Sequence, residues 1–160
     1  MPKVSVLMPV YKVEKYLRQC LDSVVKQTLE DIEIIIVDEG EQDECRRIID
    51  EFEAKDSRII AIHEKNGAYG VALNKAIERA TGEYIGIIET DDFINITMFN
   101  DLYNLAKKFD ADIVKSDWFE YYTNKDKSFK VGQIPSFKLN QITNVKKDIS
   151  LLKIPPSIWS

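Results

Sequence analysis

The chain has 160 residues, enough for one domain with a substantial core, and its 44% hydrophobic and 31% charged content is that of an ordinary globular protein. Against 22 Lys and Arg stand 27 Asp and Glu, a net charge of −5 with the basic residues scattered, which argues against a nucleic-acid partner. No apolar stretch approaches the roughly 18–20 residues of a membrane-spanning helix, and Met1-Pro2-Lys3 leading straight into a strand-like run sets the expectation of no signal peptide. Cys20 and Cys45 form neither a CxxC pair nor a metal spacing, which fits a reducing cytoplasm.

Val4 to Val10 is a short apolar run ending in a polar turn, and it reads as a buried strand. Tyr16 to Lys26 places Leu17, Cys20, Leu21, Val24 and Val25 at helical spacing. Ile32 to Val37 is rich in β-branched residues and stops at Asp38-Glu39-Gly40, so it reads as a second strand. A helix from about Asp43 to Ala54 follows, with Ile48, Ile49 and Phe52 inward, then a strand over Arg58–His63 and a turn at Asn66-Gly67. His63 has no second histidine in the chain, and the spacing gives it only a structural or solvent-facing role.

A helix from Tyr69 to Ala80 is expected to stop at Gly82 in the usual C-terminal manner. Glu83–Ile88 is the next strand, apolar enough to be central, and it delivers Glu89-Thr90-Asp91-Asp92. Thr97 to Phe109 has an amphipathic pattern, and Asp112–Tyr122 reads as a further strand. Strands alternating with helices predict a mostly parallel sheet with helices on both faces. Residues 1–122 form this core. Residues 123–160 mix polar, Gly, Pro and isolated apolar positions, and contain nothing that closes a domain. They are expected to begin a region truncated at its C-terminus.

In an open α/β sheet, ligands bind outside the carboxyl ends of the strands. Here those ends carry Pro9-Val10-Tyr11-Lys12, Asp38-Glu39, Glu64-Lys65-Asn66-Gly67 and Glu89-Thr90-Asp91-Asp92. Three carboxylates within four residues repel one another and gain most from a hard cation, Mg²⁺ or Mn²⁺, that also binds substrate phosphates. The competing account is a helix cap, with Asp92 or Asn95 capping the helix near Thr97. Spacing alone leaves the two balanced. Neither a phosphate loop, a dinucleotide fingerprint nor a nucleophile elbow is present.

Together, Val4-Ser5-Val6-Leu7-Met8-Pro9-Val10-Tyr11, Ile35-Ile36-Val37-Asp38-Glu39-Gly40, Asn66-Gly67, Ala72-Leu73-Asn74-Lys75-Ala76, Gly82-Glu83-Tyr84-Ile85 and Glu89-Thr90-Asp91-Asp92 resemble the family 2 glycosyltransferases of GT-A fold. The resemblance runs in order from about Lys3 to Asp117. It implies an inverting, metal-assisted transfer of a sugar from a nucleoside-diphosphate donor, UDP by preference, to an acceptor hydroxyl. By the same resemblance Pro9, Val10 and Tyr11 flank the base, Asp38 accepts a hydrogen bond from the pyrimidine with Glu39 alongside, and Asn66, Gly67, Asn74 and Thr90 lie along the donor site. Asp91 is the principal ligand to Mn²⁺ or Mg²⁺, Glu89 stands at the first acidic position of the metal motif, and Asp92 orients ribose, metal waters or the neighbouring loop.

There are departures. Glu89 replaces the usual Asp, Lys12 a frequent Asn, and Leu73 the Arg of a common Ala-Arg-Asn stretch. The catalytic base, normally well downstream, is expected outside this chain, because after Glu120 only Asp126 and Asp148 remain and neither sits in a motif. The acceptor is expected to be a saccharide or lipid-linked, as in polysaccharide biosynthesis, which sets the enzyme in the cytoplasm near the inner membrane face. Two alternatives are a non-catalytic nucleotide-binding domain and a nucleotidyltransferase. The latter usually has a Gly- and basic-rich phosphate segment after the first strand, unlike Pro9-Val10-Tyr11-Lys12.

Overall fold

The computed structural model describes residues 1–40, 44–64 and 68–122, together with the backbone of 127–130. Two compact units divide it, Met1–Tyr103 and Asn104–Ser160. In chain order the first unit holds β1 (Val4–Val10), α1 (Glu14–Val25), β2 (Ile32–Asp38), α2 (Glu44–Glu53), β3 (Ile59–His63), α3 (Tyr69–Arg79) and β4 (Tyr84–Ile87). α4 (Met98–Phe109) follows, then β5 (Phe119–Tyr122) and β6 (Lys127–Lys130).

The four strands of the first unit form one sheet in the order β3-β2-β1-β4, and each neighbouring pair is parallel. β1 and β2 are buried along their whole length, which is why both read as unbroken apolar runs rather than alternating ones. On one face, Val4, Val6, Met8 and Val10 of β1 and Ile32, Ile34 and Ile36 of β2 pack with Leu17, Cys20, Leu21 and Val24 of α1 and Cys45, Ile48 and Ile49 of α2. Phe99 of α4 joins that cluster. On the other face Leu7, Ile35 and Val37 meet Ala72 and Ala76 of α3. Each fully buried Leu or Ile stabilises the fold by about 1.5–3 kcal/mol, so this two-sided core supplies most of the driving force.

Three expectations are corrected. β4 lies at the edge of the described sheet rather than at its centre, and Ile85 and Ile87 are 50% and 45% exposed. Its other side is covered: Gly86 faces Phe99 so closely that a Cβ there would stand 2.4 Å from the ring. Secondly, residues 112–118 form no strand; β5 is only four residues long and pairs antiparallel with β6 in a separate sheet. Thirdly, α3 ends without a left-handed glycine. Ala80 turns extended at φ −65°, and no described glycine has positive φ. Gly82 is there for space, since a Cβ would lie 2.6 Å from the Ser5 backbone nitrogen.

The Ser5 hydroxyl donates to buried Glu33 Oε1 at 2.6 Å and accepts the Gly82 N–H at 2.8 Å. Glu33 also accepts the Thr81 N–H at 2.6 Å, so the entry to β4 is fastened to β1 and β2. Desolvation would push the Glu33 carboxyl up. The hydrogen bonds from Ser5, Thr81 and Gly82 outweigh it and hold the group below the usual carboxylate range. Asn66, Gly67, Asp126, Asp148 and nearly all of the expected 123–160 region lie outside the described residues.

Candidate functional site

Parallel pairing sets the strand ends level with one another: Val10 is opposite Asp38, and Asp38 is opposite His63. The carboxyl edge of the sheet therefore presents one row of residues. Asp38 is only 1% exposed and both its oxygens are engaged, Oδ1 by the Gly40 N–H at 3.0 Å and Oδ2 by His63 Nδ1 at 3.0 Å. Glu39 is also buried. Its backbone N–H donates to the Val10 carbonyl at 3.1 Å, and burial raises its carboxyl pKa despite Lys75 nearby. Lys75 Nζ in turn meets Glu64 Oε1 at 2.8 Å.

The acidic run leaves β4 as a turn closed by the Asp92 N–H on the Glu89 carbonyl at 3.1 Å. Thr90, 3% exposed, points inward and donates its hydroxyl to the Pro9 carbonyl at 2.9 Å. Asp91 and Asp92 point outward and are exposed. Even so, partial burial and then the Asp91 charge raise the Asp92 carboxyl above its ordinary value. Beneath them sits the Cys20 thiol. Burial first, then Asp92, Asp91 and Glu89, push it up to about 12, so it is a neutral S–H, and it meets the Glu89 carbonyl at 3.7 Å.

The helix-cap account of the run passes to Asn95, whose Oδ1 accepts the Thr97 N–H at 3.0 Å just before α4 begins. Asp91 and Asp92 are thus left for something else. An oxygen-only donor set, with one carboxyl already raised by partial burial and a neighbouring charge, suits a hard divalent ion. Among the described residues no three His, Cys, Asp or Glu side chains converge to cage such an ion alone. Water or phosphate oxygens of a bound nucleotide would therefore complete its shell, as Mg²⁺ commonly requires.

The remaining expected residues are placed as follows. Tyr11 is 57% exposed just beyond β1, with Lys12 Nζ 5.0 Å from its ring centre. Pro9 and Val10 are buried, and Val10's side chain belongs to the core, so both reach the site through backbone carbonyls. Asn74 is exposed on α3.

Several residues at the site were not anticipated from the sequence. Tyr69, the first residue of α3, donates its hydroxyl to Glu89 Oε1 at 2.6 Å, and burial followed by that bond raises the phenol to about 12. Ser23 of α1 and Gln27, two residues beyond its end, hold the segment after the turn. Ser23 Oγ accepts the Ile94 N–H at 3.1 Å. Gln27 donates to the Asn95 carbonyl at 2.7 Å and accepts the Phe99 N–H at 3.0 Å. Polar residues at helical spacing read as solvent-facing, so only the three- and four-residue intervals between Cys20, Ser23 and Gln27 hinted at a shared face.

The family model described as Glycosyl transferase family 2 matches residues 5–157. The chain belongs to that family. This family 2 chain is 37% identical over 124 residues to an uncharacterized glycosyltransferase, EpsJ, of Bacillus subtilis, covering 78% of the chain and 36% of that protein. To the glycosyltransferase GlyG of Streptococcus pneumoniae it is 39% identical over 119 residues, covering 74% and 40% respectively. It thus spans roughly two fifths or less of the relatives it matches. Among solved structures, S. aureus TarS residues 1–349 in complex with UDP superposes with a TM-score of 0.61 at 29% identity, covering 66% of this chain and 32% of TarS. The family 2 sheet, parallel and flanked by helices on both faces, is that of the GT-A glycosyltransferases.

Proposed function

We propose that this chain forms the donor-binding half of a glycosyltransferase that moves a sugar from UDP to an acceptor hydroxyl with inversion, assisted by Mn²⁺ or Mg²⁺. The observation that carries the reading is the acidic turn. Its two outward carboxylates, Asp91 and Asp92, are spare, and its buried Thr90 ties it to the Pro9 carbonyl one residue from the strand end level with Asp38. The presence of UDP in the TarS complex supports the choice of nucleotide.

In this reading Asp91 holds the ion directly, and Glu89, aimed by Tyr69, stands beside it. A divalent ion bound there would supply neutralisation of the charge on the departing diphosphate. The chain's own residues do the rest: Asp38 reads the base, Tyr11 walls it, and Asp92 orients ribose or water. Acceptor activation calls for a carboxylate base, and none of these residues takes that role. A saccharide or lipid-linked acceptor would place the reaction at the cytoplasmic face of a membrane.

Calorimetric titration of the protein with UDP, with and without Mn²⁺, tests the proposal. Mn²⁺ should strengthen UDP binding about tenfold or more, and Asp91→Ala should abolish that gain, as expected for a metal bridging carboxylate and phosphates. UDP affinity indifferent to both Mn²⁺ and Asp91 would remove the basis of the assignment.

A further inference from the structure

His63 is the only histidine in the sequence, and it stands at the end of β3 opposite Asp38. Its Nδ1 lies 3.0 Å from Asp38 Oδ2, and its Nε2 lies 3.1 Å from Asp50 Oδ1 on α2. An ionised carboxylate has only lone pairs to offer, so a hydrogen on Nδ1 satisfies the contact with Asp38. The ring therefore has a carboxylate at each end, and turning it breaks both contacts at once. Its side chain is 18% exposed, Asp38's is 1% and Asp50's is 56%, so the chain of contacts runs from solvent inward to a buried acid.

A carboxylate that is 1% exposed is expensive to keep in a fold unless it is fully bonded or has a task. Asp38 holds one donor on each oxygen, Gly40 N–H on Oδ1 and His63 on Oδ2. A carboxylate has about four lone-pair sites, so two remain, and their directions are set by the two donors already in place. Rotation of the Asp38 side chain would sacrifice both bonds.

We propose that His63 is a positioning residue that locks the Asp38 carboxylate in the orientation to accept an imide N–H, and thereby makes the pocket choose uracil over cytosine. The inference rests on the donor-site reading above. Its chemistry is simple: uracil N3 carries a hydrogen, whereas cytosine N3 is a bare acceptor that would meet a fixed carboxylate lone pair to lone pair. A carboxylate free to swing aside loses that discrimination, because the repulsive arrangement can relax. Asp50 acts one step further out, by holding the ring.

The test compares UDP and CDP binding by calorimetry at constant Mn²⁺, using the whole chain. His63→Ala should lower the UDP-to-CDP affinity ratio roughly tenfold, the scale of one misplaced buried hydrogen bond. His63→Asn, whose amide can restore the donor where Nδ1 stood, should recover most of the ratio. His63→Gln, whose amide reaches instead toward the Nε2 position, should not. Asp50→Asn, at a half-exposed site, should lower the ratio about two- to threefold. A purely structural histidine would weaken both nucleotides alike and leave the ratio unchanged, and that result in His63→Ala or, should it not fold, in Asp50→Asn overturns the proposal. If the wild type binds no UDP, the donor-site reading itself fails. If the wild type binds and discriminates while the variants keep its ratio, only the role of His63 is lost.

Discussion

Replacing Gln27 with leucine tests whether the residues just past α1 hold the segment that follows the acidic turn. Gln27 is 4% exposed, and its amide donates to Asn95 O at 2.7 Å and Ser23 O at 3.1 Å while its oxygen accepts the Phe99 N–H at 3.0 Å. Leucine preserves bulk but removes all three bonds. The Phe99 N–H belongs to a residue only 5% exposed and cannot turn to water, so stranding it costs about 1–3 kcal/mol. Asn95 is exposed and its carbonyl can be rehydrated, which adds roughly 0.5–1 kcal/mol. The added apolar burial of leucine offsets about 1 kcal/mol of this, leaving a net loss of about 0.5–3 kcal/mol. Urea denaturation should show a lower midpoint at unchanged slope. Hydrogen exchange should show faster opening of the amides at Ile94 and Phe99. Gln27→Glu keeps an acceptor for Phe99 but sets a carboxylate against the Asn95 carbonyl, and it should do no better. A loss under about 0.5 kcal/mol with unaltered exchange would refute the bracing role.

Gly82→Ala should be severely destabilising, because its Cβ would press on the Ser5 backbone at 2.6 Å and displace the Ser5–Glu33 bond; thermal melting checks this. Glu33 has a folded pKa held below its unfolded value, so its stabilisation is fully present above the unfolded pKa and is lost as pH falls through the folded one. Glu33→Gln should flatten the acid limb of the stability curve, and an unchanged limb would contradict the account. Asp92 is the opposite case: its raised pKa means that its charge opposes folding at neutral pH. Asp92→Asn should therefore raise the melting temperature of the metal-free protein at pH 7 while reducing the stabilisation that added Mn²⁺ provides. Lys12 adopts φ 53°, a left-handed conformation that asparagine and glycine tolerate better than lysine. Lys12→Asn should raise the melting temperature by about 1–3 °C, and a fall would show that the Lys12–Tyr11 contact outweighs the strain.

Much of this architecture is legible from the residues because β1 and β2 are buried on both faces and the helices between them carry clear apolar stripes. The limits of sequence reading are equally specific. Ile85 and Ile87 are as apolar as Ile34 and Ile36, and nothing in their identity distinguishes an edge strand from a central one. The isolated apolar positions in 112–118 imitate strand alternation, yet pair with no strand among the described residues. Asp38 and the acidic run stand out because carboxylates at strand ends are chemically conspicuous. Their supports do not. Tyr69, Cys20, Ser23 and Gln27 act through contacts 20 to 72 positions apart in sequence, and the bond from His63 to Asp38 depends on strand register. Such pairings exist only once the chain has folded.

Two neighbouring carbonyls at the end of β1 have a thermodynamic consequence. Pro9 O takes the Thr90 hydroxyl and Val10 O takes the Glu39 amide, so the acidic turn and the Asp38-Glu39 corner hang from adjacent peptide units of one strand. Neither can shift without tugging on the backbone that seats the other. Occupants of the two places should therefore influence one another's affinity even where they do not touch. By linkage the influence must be mutual and equal: whatever factor a metal adds to nucleotide binding, the nucleotide returns to the metal. Thr90→Val, which cuts one of the two attachments, should shrink that shared factor when it is measured from either side, and unequal changes from the two titrations would show that they follow different equilibria.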